Sequence, residues 1–133
     1  MDTRFVGGWD LIGTEVKDAQ GNKAGEMLPG WKGQIAYTPD GRMSAHLIAP
    51  EGTVRGAPQG ERLPVESYTG YYGTYTIDDA AGCVTHHMMA ATTPSLLDSD
   101  QRRFFTFEGN RLILQPPIGA DGLTRRLIWQ KAN

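Results

Sequence analysis

Residues 33–47 read Gly33-Gln34-Ile35-Ala36-Tyr37-Thr38-Pro39-Asp40-Gly41-Arg42-Met43-Ser44-Ala45-His46-Leu47. Two β-favouring runs flank a turn in which proline pre-sets φ and glycine is free to take a positive one. Pairing Thr38 with Arg42 sets Tyr37 against Met43, Ile35 against Ala45 and Gly33 against Leu47. Strand side chains alternate between faces, so these positions form one apolar face that should point inward. His46 then falls on the other face, beside Gln34.

The same punctuation recurs along the chain. Short apolar runs separated by Gly, Pro and Asp clusters predict eight strands: Phe5 to Thr14, Trp31 to Thr38, Met43 to Ala49, Gly70 to Ile77, Cys83 to Ala90, Gln101 to Glu108, Arg111 to Gln115 and Leu123 to Gln130. Mostly short links suit an all-β, antiparallel up-and-down barrel, which leaves no exposed edge; a sandwich is the rival. Two longer links, Lys17 to Gly30 and Pro50 to Thr69, interrupt the meander. Loops of that length are uncommon unless they cover something. Pro64-Val65-Glu66-Ser67-Tyr68, between the third and fourth runs, reads either as one helical turn serving as a lid or as part of a disordered surface loop.

Two further hairpins can be registered. A loop Asp79-Ala80-Ala81-Gly82 closed by Asp78 and Cys83 pairs Ile77 with Val84, Tyr75 with His86 and Gly73 with Met88. Tyr71, Tyr75, His86 and Met88 then face inward, and Thr74, Thr85 and His87 outward. Gly109-Asn110 is a two-residue turn signal. It sets Glu108 against Arg111, Phe107 against Leu112 and Phe105 against Leu114, with Arg103 on the same inward face.

Composition bounds the function. The chain has 133 residues, enough for one domain over 1–133 with a real core and too few for two ordinary ones. Its 39% hydrophobic and 21% charged content is that of a globular protein, so it should fold alone. The formal charge of −2 comes from interspersed acids and bases, and no basic run is present to attract a phosphate backbone; nucleic acid is not an expected partner. Cys83 is the only cysteine, which rules out an intrachain disulfide and points to a reducing compartment. The opening residues lack a signal-peptide apolar run and nowhere do eighteen apolar residues follow one another, so cytoplasm, without a membrane partner, is expected.

At this point the residues resemble the bacterial and fungal lipocalin-like domain proteins, within the wider calycin group. The resemblance covers almost the whole chain. It is carried by Phe5-Val6-Gly7-Gly8-Trp9, by Ala36-Tyr37-Thr38-Pro39-Asp40-Gly41-Arg42-Met43-Ser44, by Tyr72-Gly73-Thr74-Tyr75 with Thr85-His86-His87, and by Arg126-Leu127-Ile128-Trp129. It implies a lipocalin-like barrel in which Trp9 packs at the closed end against an arginine of the last strand, Arg125 or Arg126. Family members often carry glutamine where this chain has His46, so that histidine inherits no family role. The resemblance implies a fold more firmly than a reaction.

The strongest chemical constellation is His86, Tyr75 and Arg103, which the registers bring inward from adjacent strands. An imidazole to accept a proton, a phenol to donate one and a guanidinium to hold a carboxylate or oxyanion would suit proton transfer beside a carbonyl. The plainer reading is a satisfied core, since buried polar groups are normally paired. Trp31, Tyr37, Met43, Tyr71, Met88, Phe105 and Phe107 would supply a ligand-binding lining for a flat or hydrophobic molecule, unless the barrel is filled by its own side chains. His86 and His87 point to opposite faces and cannot chelate one ion, so no metal is expected. No glycine-rich phosphate loop and no Gly-x-Ser-x-Gly elbow is present, and no cofactor is expected. Two functions follow: binding of a small hydrophobic or aromatic molecule inside the barrel, or cofactor-independent isomerase, cyclase or lyase chemistry on a small natural product or aromatic compound.

Overall fold

The computed structural model describes residues 3–25, 29–50 and 68–132. Nine strands form one antiparallel sheet: β1 (Gly7–Lys17), β2 (Lys23–Gly25), β3 (Lys32–Tyr37), β4 (Arg42–Ile48), β5 (Tyr68–Asp78), β6 (Cys83–Ala91), β7 (Asp100–Glu108), β8 (Arg111–Gln115) and β9 (Thr124–Lys131). From β1 through β3 to β9 each strand pairs with the next, and β9 returns to pair with β1. The result is a closed eight-stranded up-and-down barrel. Strand β2 lies outside it, paired with the end of β1 at Val16 and Lys17. Among the described residues there is no α-helix, only a 3-10 turn at Pro94–Leu96.

All three registers read from turn chemistry are present: Tyr37 opposite Met43, Tyr75 opposite His86, and Phe107 opposite Leu112. In the first turn Gly41 takes φ +90, and the Thr38 hydroxyl accepts from the Arg42 amide at 3.0 Å. The long link after β1 contains the short β2, which no apolar run announces. The first run is displaced, since the strand begins at Gly7 and continues to Lys17. Phe5 precedes the strand and is fully buried. Residues 51–67, which include most of the second long link and all but Tyr68 of the Pro64–Tyr68 turn, lie outside the described residues. Tyr68 itself opens β5.

The two barrel ends differ. The tight turns of β3–β4, β5–β6 and β7–β8 gather at one end, together with the start of β1 and the end of β9. Phe5 fills that end, its ring edge-on to Tyr37, Phe105 and Phe107 with centroids 5.1–5.2 Å apart. Arg4 lies over both Phe105 and Phe107 and pairs with Asp79 of the β5–β6 turn. Trp9 donates its indole N–H to Phe5 O at 2.8 Å.

The cation on Trp9 is a correction to the expected arginine. Lys131 Nζ stands 4.7 Å from the indole centroid and donates to Val6 O. Register explains it: Lys131 is the direct partner of Trp9, whereas Arg125 and Arg126 pair with Val16 and Glu15 at the other end of β1. There Arg126 bonds Glu15 at 3.1 Å and Arg125 bonds Asp121 at 2.6 Å.

Candidate functional site

Above the Phe5 plug the barrel carries a polar layer, and above that a cavity. The layer is built around His86, 1% exposed on β6. Its Nε2 shares a hydrogen with the Tyr37 hydroxyl of β3 at 2.7 Å, and the Tyr71 ring of β5 stands 6.1 Å from the imidazole. Arg103 enters from β7, on the same inward face as His86 because its partner Val84 lies two residues from it. Its Nη1 donates to Arg102 O at 2.9 Å and its Nη2 to Gln101 Oε1 at 3.4 Å.

Electrostatics follow from burial. Burial first, then the charges of Arg103 and His87, bring the His86 pKa down to about 3, so the imidazole is neutral at physiological pH. Burial raises the Tyr37 hydroxyl well above its ordinary value, and it stays a phenol. Tyr71 is raised for the same reason. Burial lowers Arg103, which remains a cation.

The cavity has a volume of about 200 Å³. Ile35, Ala45, Leu47, Leu114 and Leu127 form its apolar wall, and Tyr71, His86, Arg103 and Trp129 its polar positions. Thr69 at the start of β5, Leu96 after β6 and Pro116 after β8 also line it, so it lies toward the end opposite Phe5. Engineered cavities of roughly 150 Å³ admit a single aromatic ring. Two buried nitrogens, His86 Nδ1 and Trp129 Nε1, have no hydrogen-bond partner among the described residues.

Of the expected catalytic residues, His86 and Arg103 line this cavity together. Tyr75 does not line it: its hydroxyl donates to Thr38 O at 2.8 Å, at the closed end. The phenol that meets His86 is that of Tyr37. Of the expected lining, Tyr71 is in place, whereas Met43 and Met88 are buried in the packed barrel and Phe105 and Phe107 surround the plug. Trp31 is half-buried just before β3. Trp129, absent from the expected site, is buried at the cavity wall. Its signal was available in the strict alternation that puts it on the face of Leu127.

The two remaining histidines lie outside the barrel wall. His87 bonds Asp100 at 2.8 Å and Thr76 at 2.9 Å. His46 is exposed, as alternation requires, and its Nδ1 meets the Tyr68 hydroxyl. It borders a groove of about 500 Å³ on the outer face, with Ser44, Gly70 and Tyr72. That groove is larger than the interior cavity, but among the described residues the buried unpartnered polar atoms, His86 Nδ1 and Trp129 Nε1, belong to the interior.

The family described as Lipocalin-like domain matches residues 6–132, nearly the whole chain. This chain belongs to the lipocalin-like domain family. Its fold is similar to that of a lipocalin-like protein from Bacteroides uniformis ATCC 8492, with a TM-score of 0.52 at 13% identity, covering 97% of this chain and 99% of that one. It is also similar to an uncharacterized protein from Bacteroides eggerthii DSM 20697, with a TM-score of 0.51 at 13% identity, covering 96% and 99%. At such identity the likeness concerns the barrel alone. No curated protein matches the sequence. A lipocalin-like barrel is a fold suited to holding a small molecule, and the chemistry of the occupant must be argued from this chain's own cavity.

Proposed function

We propose that this lipocalin-like protein binds one small, largely apolar or aromatic molecule in the half of its barrel opposite Phe5. The observation that supports the reading is the cavity of about 200 Å³ walled by Ile35, Ala45, Leu47, Leu114, Leu127 and Trp129. Its volume falls below the roughly 300–1,000 Å³ of pockets for drug-sized ligands, so the occupant is smaller than those. Phe5 and its aromatic neighbours fill one end, and the cavity lies toward the other. Cys83, free and 2% exposed, fits a reducing compartment, and we place the protein in the cytoplasm on that ground.

The test is native mass spectrometry of freshly purified protein, followed by extraction and identification of any retained molecule. Stoichiometric occupancy by a small apolar or aromatic compound is expected, with occupancy reduced in Ala45→Leu, which places extra methyl groups in the cavity. An empty barrel that also takes up no small aromatic compound at millimolar concentration contradicts the proposal.

Acid–base catalysis in the same cavity is the second reading, favoured by His86 and Arg103 standing in one wall. A general base works best with a pKa near the operating pH. His86 at about 3 is far below it, which makes the imidazole a better hydrogen-bonding group than a proton acceptor. Turnover of an identified ligand by the wild type, abolished in His86→Gln with binding intact, would establish the catalytic reading instead.

A further inference from the structure

Among the described residues, two buried nitrogens of the cavity wall have no hydrogen-bond partner and the Arg103 guanidinium beside them has no carboxylate. Arg103 is partly buried, and among the described residues no carboxylate lies within ion-pair distance of it. Its bonds go to one carbonyl and, at the long distance of 3.4 Å, to one side-chain amide. Trp129 Nε1, which can only donate, is buried without a partner, and so is His86 Nδ1. In the tautomer in which the Tyr37 hydroxyl donates to Nε2, the proton of the neutral imidazole sits on Nδ1 and makes that nitrogen a donor too, and this is the tautomer that an anion in the cavity would select. All three residues line the same cavity.

Buried polar groups in native structures are nearly always satisfied, and a buried cation needs a partner most of all. A set consisting of donors and one positive charge, in an otherwise apolar wall, is completed by an anion that brings several lone pairs. A carboxylate brings about four acceptor sites on two oxygens. Arg103 is the only cation of the wall among the described residues, so a monoanion is balanced and a dianionic phosphate is not.

Resting on the cavity as the binding site, we infer that the occupant is a small monocarboxylic acid. Its carboxylate sits on the Arg103 guanidinium with Trp129 Nε1 and His86 Nδ1 as further donors, and its compact branched or single-ring body lies against Ile35, Ala45, Leu47 and Leu127. The guanidinium is suited to the task because its planar fork matches a carboxylate edge.

The test is isothermal titration of the full chain with benzoate, phenylacetate and 3-methylbutanoate, each against its primary amide, with toluene as a neutral apolar probe. In the wild type at least one acid should bind about tenfold or more tightly than its amide, the range of one charge-assisted hydrogen bond. In Arg103→Gln that preference should vanish while amide and toluene binding persist. Arg103→Met serves as a second variant of similar length, and both should fold, because each removes a partly buried charge that has no carboxylate partner among the described residues. Amides or toluene binding as tightly as the acids would overturn the carboxylate inference and leave the apolar cavity standing. An acid preference undiminished in both variants would overturn the role of Arg103. No binding by any of the seven probes would overturn the inference and the cavity reading together.

Discussion

His86 ties the stability of the fold to pH. Its pKa falls from 6.5 to about 3 on folding, chiefly through burial. Between those values the unfolded chain binds a proton that the folded protein does not. Stability is therefore full above about pH 6.5 and declines as the pH falls toward 3, with a slope of up to about 1.4 kcal/mol per pH unit from this one group. Urea unfolding at pH 7, 6, 5 and 4 should show this slope in the wild type and a slope shallower by up to one proton in His86→Gln; parallel profiles would contradict it. The Tyr37 hydroxyl is the partner that keeps Nε2 satisfied at 2.7 Å. Tyr37→Phe should cost about 1–3 kcal/mol at pH 7, the penalty for orphaning a buried polar atom, measured by the same urea titration. At this scale the sequence placed His86 and Arg103 on the inward face correctly, because alternation within registered hairpins fixes a face. It set Tyr75 beside His86 because the two are direct cross-strand partners. The hydroxyl of a long side chain is decided by its tilt along the barrel, and Tyr75 bonds Thr38 O while Tyr37, three strands from His86 on β3, reaches across the barrel to it.

The hairpins are where sequence and structure agree most closely. Turn residues with restricted φ leave few pairings, and only one pairing puts Tyr37, Ile35, Met43 and Ala45 inside together. What turn chemistry does not announce is a bulge far from the turn. Beyond Gly73, which opposes Met88, the β5–β6 ladder shifts by one residue so that Tyr72 opposes Ala90. The residue skipped is Met89, which is 50% exposed. Gly73 is required there by close approach: a Cβ built on it would stand 1.8 Å from His87 O, a backbone atom that has no side-chain freedom to move aside. Gly73→Ala should therefore destabilise the protein by about 3 kcal/mol or more, among the large effects seen for backbone-constrained sites. Thermal and urea unfolding check it, and a wild-type midpoint would mean that the ladder can open at the bulge without loss. The short β2 was equally invisible in advance, because Lys23-Ala24-Gly25 carries no apolar alternation and its three residues are all exposed.

For the whole molecule, the difference between the ends decides where a ligand goes. The sequence supplied the inward set but not its depth. Phe105, Phe107 and Met43 were expected around a ligand; instead Phe5, entering from outside β1, takes the space among those aromatics. A residue that precedes its strand has no register, so its burial cannot be read from alternation. The plug is held by Lys131, whose ammonium lies over Trp9 and donates to Val6 O. Lys131→Met keeps the aliphatic stem and removes the charge, and should cost about 0.5–2 kcal/mol, the range for a cation over an indole. Urea unfolding measures it, and ligand affinity at the opposite end should stay unchanged. The most direct test of the cavity uses two tryptophan indole protons as reporters: Trp9 N–H, bonded to Phe5 O at the sealed end, and Trp129 N–H, unpartnered at the cavity wall. Titrating the ¹⁵N-labelled protein with toluene, the Trp129 indole resonance should shift in a saturable way while that of Trp9 stays in place. An unmoved Trp129 resonance at saturating toluene, or equal shifts of both, would contradict a binding cavity in the half of the barrel opposite Phe5.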